Sequence, residues 1–189
     1  MDFIFRHSTL LEQERARTTI NLVLIAMIAT LYFVLVYALA AISFLPLQIR
    51  VADMLIMLPA VVGLPGVYGI TLGCFVANSF PLGYAPNPID VSLGSVANFI
   101  AGYLVYRLAY RNDSDKVLLA SSLLAAITIT GIVGSYLPII LGMDANIVTI
   151  LVVGWLGVFP GEFISVVILG VPVCKVLKRS FKAMRETTA

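Results

Sequence analysis

The chain has 189 residues, of which 60% are hydrophobic and only 12% charged, and its mean hydropathy is +1.03. That composition belongs to an integral membrane protein, and the length leaves one membrane domain over 1–189 with no soluble catalytic domain beside it. A net charge of +2 is far from the strongly basic balance of a nucleic-acid binder, so no nucleic-acid partner is expected.

Residues 1–17 mix charged and apolar side chains and lack a cleavable small-residue site, so they read as a segment ahead of the first span and not as a signal peptide. Ser8 with Glu12 and Glu14 following is a loose helix start, and Arg15 and Arg17 suit anionic headgroups. An amphipathic surface helix and a solvated cap on the first span both fit.

Five apolar runs follow, at residues 18–47, 51–80, 89–108, 117–143 and 146–177, each at or above the roughly 20 residues that a spanning helix needs. In the first, Ala26, Ala29 and Thr30 give a small-residue face for helix packing. The second is interrupted by Pro59, Gly63, Pro65 and Gly66, where a helix would have to continue. It reads as a hairpin with arms at 51–62 and 67–80, each reaching about 20 Å at the helical rise per residue. Gly63, Gly66, Gly69 and Gly73, spaced by three and four, provide a second packing face, and Gly131 with Gly134 a third.

Positive residues gather at three places: Arg6, Arg15 and Arg17; Arg107, Arg111 and Lys116; and Lys175, Lys178, Arg179, Lys182 and Arg185. By the positive-inside rule all three are cytoplasmic, including the basic tail at 178–189. Both termini on one side require an even number of crossings, and splitting the second run gives six. Residues 43–50, 81–90 and 142–146 then lie on the outer side. The 81–90 loop holds Pro81, Pro86 and Pro88 and reads as a stiff cap.

Glu162, in the middle of the last apolar run, is the residue that most needs an explanation. A carboxyl at bilayer depth costs about 3 kcal/mol or more on insertion scales, so such residues face a bundle interior and line a ligand, ion or proton site, or lock helices together. Gln48, Arg50 and Asp53 form a second polar group at the outer boundary. Arg50 and Asp53 are three apart and can neutralise each other on a helical turn; equally, the three side chains can offer donors and an acceptor to a polar solute. Asn78 and Asp90 flank the proline loop, and Ser92, Ser95 and Asn98 recur at helical spacing along one polar face of the next span. Tyr84, Tyr103, Tyr136 and Trp155 are aromatic surfaces of the interfacial kind.

Catalytic signatures are missing. His7 is the one histidine, Cys74 and Cys174 have no metal-ligand spacing, and there is no phosphate-cradling glycine loop or serine elbow. No enzyme, metal or cofactor is expected, and the two cysteines read as small buried hydrophobes.

The segments Pro46-Leu-Gln-Ile-Arg-Val-Ala-Asp53, Gly73-Cys-Phe-Val-Ala-Asn78, Asp90-Val-Ser-Leu-Gly-Ser95 and Gly161-Glu162 with Gly170-Val-Pro172 resemble, in order, the QueT family of S components of energy-coupling factor transporters. The resemblance implies an all-α integral membrane protein, a six-transmembrane-helix bundle with a short hairpin of second and third helices. It implies capture of a queuosine precursor, a 7-deazaguanine base or a queuine-like compound, from the outer side of the plasma membrane, with the loops at 43–50 and 81–90 closing over it. Gln48, Arg50, Asn78, Asp90 and Glu162 carry over as substrate-binding residues, and Asn98 joins them from its polar face. Asp53 stands where the family pattern usually has glutamate. The implied partners are a transmembrane coupling subunit, docking on Ala26, Ala29 and Thr30, and two ATPase subunits that hydrolyse ATP, of which this chain has no site. Another vitamin-like heterocycle as ligand, or a structural or assembly role with no ligand, remains the alternative.

Overall fold

The computed structural model describes residues 2–40, 49–82, 85–144 and 146–187, with side chains from 12 to 184. All the elements among them are helical. Among the described residues, four helices are long and apolar enough to cross a membrane.

The first helix, α1 (Asp2–Ala38), runs for 37 residues without a break. Nothing in it stops a helix, since no Gly or Pro occurs between its ends. The segment before residue 18 is therefore one helix with the first span, not a separate surface helix. Thr18 and Thr19, at the junction, donate their hydroxyls to the carbonyls of Glu14 and Arg15.

The hairpin forms as the glycine and proline spacing predicts. Helix α2 (Val51–Val62) starts as a tight 3-10 turn over Val51–Met57 and relaxes to α geometry from Pro59. Gly63 then turns the chain with φ 77° and ψ −147°, a conformation open to glycine, and a Cβ there would also meet the Tyr110 ring at 3.1 Å. Helix α3 (Leu64–Ser79) begins at once, three residues earlier than the predicted arm. Pro65 in its first turn causes no break, because an N–H there has no partner inside the helix. The reversal brings Arg50, at the head of α2, to 3.7 Å from Cys74 near the end of α3.

Helix α4 (Asp90–Ala109) opens with a wide π-helical turn over Asp90–Gly94. Helix α5 (Asp115–Ile140) keeps Pro138 in its last turn. Helix α6 (Ile147–Met184) continues to Thr187 and is the least regular, with π-helical stretches over Ile150–Trp155 and Phe163–Gly170 on either side of Pro160.

α1 lies along α3, α3 along α4, α4 along α5 and α5 along the first half of α6, while α2 closes against α1 and the second half of α6. The core is apolar, with Tyr32, Ile56, Ile70, Val105, Val158 and Val166 fully enclosed. The outside is apolar as well, with Ile20, Met27, Leu31, Val34, Ile127 and Val152 all exposed, as expected where the surroundings are lipid.

Small residues set the closest approaches. Gly69 and Gly73 of α3 lie against Ile28, Ala29 and Tyr32 of α1. The tightest contact is Gly154 of α6 on Gly134 of α5, where a Cβ on Gly154 would fall 1.9 Å from the Gly134 carbonyl oxygen. Gly154→Ala is therefore expected to pry α5 from α6 and cost about 1–3 kcal/mol. Gly131→Ala, whose Cβ would meet nothing within 4 Å, should stay within about 0.5 kcal/mol of wild type. Denaturation of both variants in detergent micelles measures the difference; equal stabilities would mean that the two helices are free to separate.

Candidate functional site

Five of the helices start, end or bend at one level, and each places a polar side chain there. α2 contributes Asp53, with Arg50 just ahead of it; α3 contributes Cys74 and Asn78; α4 contributes Asp90, Ser95 and Asn98; α5 contributes Tyr136; α6 contributes Glu162 and Ser165. The sixth, α1, adds Tyr32 from the middle of its apolar run. Asp53, Asn78, Asn98, Glu162 and Arg50 are all buried, from 1% to 8% exposed, although nothing in their side-chain chemistry favours burial.

Local backbone geometry aims these groups inward. The 3-10 turn of α2 winds three residues to the turn, which brings Arg50 and Asp53 onto one face. Glu162 is the last α-helical residue before the π-helical stretch of α6. There Gly170 lets α6 close on α2, at a spacing where a Cβ would meet the Met54 carbonyl oxygen at 2.9 Å. That approach sets Glu162 beside Asp53. Gly94 ends the π turn of α4, and a Cβ on it would lie 2.8 Å from Asn78 Nδ2 and 3.3 Å from the Tyr136 hydroxyl.

Two connected networks result. In the first, the Tyr32 hydroxyl donates to Asp53 Oδ1 at 2.5 Å, Asn98 Nδ2 donates to the Tyr32 oxygen at 2.9 Å and reaches Asp53 Oδ1 at 3.5 Å, and the Glu162 carboxyl lies within hydrogen-bonding reach of Asp53. In the second, Asn78 Nδ2 donates to the Asp90 carbonyl oxygen at 3.1 Å and the Tyr136 hydroxyl donates to Asp90 Oδ1 at 2.8 Å. The Arg50 guanidinium and the Asn78 amide both approach Cys74 Sγ at 3.7 Å.

Arg50 sits between the networks, within electrostatic range of Asp53, Asp90 and Glu162. One cation thus faces three carboxyl groups. Glu162 Oε2 and Asn78 Oδ1 are buried acceptors that have no hydrogen-bond partner among the described residues, and neither does the Ser165 hydroxyl. A buried acceptor left unpaired costs about 1–3 kcal/mol, and a molecule bringing two N–H donors removes that cost.

The structure brings Arg50, Asn78, Asp90, Asn98 and Glu162 into this one cluster. Gln48 and Tyr84 lie outside the described residues. The predicted polar face of α4 is real at Ser95 and Asn98, which are buried, but Ser92 is exposed and returns its hydroxyl to the Pro88 carbonyl oxygen at 2.6 Å. Of the small residues on α1, Ala26 and Thr30 are exposed, whereas Ala29 is buried against Gly73. Trp155 is directed elsewhere, toward Ser135.

Tyr32, Asp53, Tyr136 and Cys74 carry more of the cluster than the sequence indicated. A tyrosine in the middle of the first span, away from either membrane boundary, was the available signal, because a hydroxyl at bilayer depth needs a partner for the same reason that a carboxyl does. Asp53 takes its hydrogen bonds from Tyr32 and Asn98, residues far from it in sequence.

The family model described as QueT transporter matches residues 22–179, from the first half of α1 into the basic end of α6. The chain belongs to the QueT transporter family. Every residue of the two networks falls inside the matched region. QueT proteins are S components of energy-coupling factor transporters, so this chain is a multi-pass membrane protein of a transporter family, which is not an enzyme class, and it works with membrane and ATPase partners on a small-molecule substrate. No curated protein and no solved structure matches it.

Proposed function

We propose that this QueT protein captures a queuosine precursor, a 7-deazaguanine base, at the buried cluster around Arg50, Asp53 and Glu162. The observation that carries the reading is the pair of unpartnered buried acceptors, Glu162 Oε2 and Asn78 Oδ1, beside a single guanidinium. A guanine-like edge presents two adjacent N–H donors that a carboxylate accepts as a fork, and a carbonyl to which Arg50 or Asn98 donates. A precursor bearing an aminomethyl cation would have Asp90 to offset its charge.

In this reading the chain crosses the membrane six times, with α2 and α3 as short crossings, both termini cytoplasmic and the site open to the outer side. The 43–50 and 81–90 segments, Gln48 among them, close over the ligand. The chain itself carries no cofactor. A transmembrane coupling subunit docks on α1 at Ala26 and Thr30, and its two ATPases supply the energy.

The test is a thermal-shift series on the purified protein with 7-deazaguanines, guanine and unrelated vitamins. At a ligand concentration of 1,000 Kd the expected stabilisation is about 4 kcal/mol, with deazaguanines ahead of guanine and no response to the others. A second reading, in which the cluster only holds helices together, draws on the closed Tyr32–Asp53–Asn98 network. A flat response across the whole series would favour it.

A further inference from the structure

The other end of the bundle holds a different kind of site. Where α4 ends and α5 begins, the chain opens a pocket of about 620 Å³ against the last turns of α6. Arg111, Lys175, Lys178, Arg179 and Lys182 line it, against the two carboxylates of Asp113 and Asp115.

Two of the cations build the walls. Lys178 Nζ donates to the carbonyl oxygens of Ala109 at 2.9 Å and Asn112 at 2.6 Å, which covers the carbonyl end of α4 and removes its negative pole from the pocket. Lys175 Nζ pairs with Asp115 at 2.8 Å, neutralising one of the two acids and holding α6 to the start of α5. Three cations remain, Arg111, Arg179 and Lys182, all exposed and none in an ion pair among the described residues. Arg111 is also the one non-glycine residue with a positive φ among the described residues, at 59°, and its guanidinium stands 5.3 Å from the centroid of the Tyr110 ring.

The remaining lining separates a lipid from a soluble anion. Ala60, Val61 and Leu118 form an apolar floor, and Phe181 stands exposed at the rim. The pocket lies at the ends of two helices long enough to span a membrane, α4 and α5, and therefore at headgroup depth. A run of tyrosines, Tyr103, Tyr106 and Tyr110, leads along α4 to it with ring centroids 6.1 and 5.2 Å apart, the type of side chain that occupies the interfacial belt.

We propose that this pocket seats the phosphate headgroup of an anionic phospholipid. Arg111, Arg179 and Lys182 hold the phosphate, and the apolar floor with Phe181 receives the glycerol and the first methylenes. Basic pockets between transmembrane helices take such headgroups, and each Lys or Arg near an anionic membrane surface contributes about fivefold in affinity.

The experiment titrates the detergent-purified full chain with short-chain phosphatidylglycerol, short-chain phosphatidylcholine and inorganic phosphate, reading the melting temperature. It compares wild type with the triple variant Arg111→Gln, Arg179→Gln, Lys182→Gln. A charge-matched control carries Arg15→Gln, Arg17→Gln and Arg107→Gln, all exposed and outside the pocket. Phosphatidylglycerol should stabilise the wild type where the other two do not. Its half-saturating concentration should rise more than tenfold in the pocket variant and less than about twofold in the control. Equal losses in the two variants would overturn the proposal in favour of general surface charge, and inorganic phosphate matching phosphatidylglycerol would overturn it in favour of a soluble anion. Should the triple variant fail to fold, Lys182→Gln alone decides, with a rise of about fivefold expected and no change contradicting the proposal.

Discussion

Replacing Glu162 by glutamine is expected to weaken deazaguanine binding by about two orders of magnitude or more while leaving the bundle folded. The substitution keeps the size and shape of a side chain that is 4% exposed, so packing against α2 is preserved. It replaces the two acceptor oxygens of a carboxylate with a single carbonyl oxygen, so the two-donor fork cannot be received and an N–H₂ faces an N–H. Removing one partner of a buried, hydrogen-bonded charge costs about 2–5 kcal/mol in binding. Beside Asp53, by contrast, the glutamine amide can donate to the neighbouring carboxylate, so stability without ligand should change by less than about 1 kcal/mol. Calorimetric titration of both proteins reads the affinity, and a variant that binds within threefold of wild type would remove Glu162 from the site.

Asp53→Ala is expected to have the largest effect on stability, about 3–5 kcal/mol. The Tyr32 hydroxyl and the Asn98 amide both direct their protons at Asp53 Oδ1, and both residues are buried. Truncation strips the Tyr32 hydroxyl of its acceptor and leaves the Asn98 amide only its bond to Tyr32, at about 1–3 kcal/mol for each proton left unpaired, and opens a cavity where α1, α2 and α4 meet. Asp53→Asn keeps the volume and one acceptor oxygen, and should cost less than half as much. Unfolding in mixed micelles measures both. Equal and small losses would mean that apolar packing alone holds these three helices.

Much of the fold was legible because lipid imposes simple demands. The lengths of the apolar runs gave the four long helices, and the Pro and Gly cluster at 59–66 gave the hairpin, since Gly63 turns the chain with φ 77° and ψ −147°, a conformation open to glycine. Of the two readings of the segment before residue 18, a cap continuous with the first span is the one the helix takes, because a change from polar to apolar surroundings does not interrupt a helix that has no residue to stop it. The π-helical stretches of α4 and α6 were not legible, because they arise from how neighbouring helices pack around Gly94, Pro160 and Gly170.

The candidate site was half legible, for a related reason. Glu162, Arg50 and Asn78 stand out in sequence because their chemistry conflicts with apolar surroundings. Tyr136 does not, since tyrosine is ordinary at membrane boundaries, and Tyr32 does so only through its place in the middle of the first apolar run. Ala26, Ala29 and Thr30 form one stripe in the sequence, but a helix presents such a stripe over an arc wide enough to be divided, and α3 covers its Ala29 edge.

A structure of the protein with a 7-deazaguanine bound decides whether the buried cluster is where the ligand sits. The ring is expected between α2, α4 and α6, with its two edge N–H groups about 3 Å from the Glu162 carboxylate and its carbonyl at the same range from Arg50 or Asn98. A ligand seated away from these residues, with Glu162 still turned to Asp53, would contradict it.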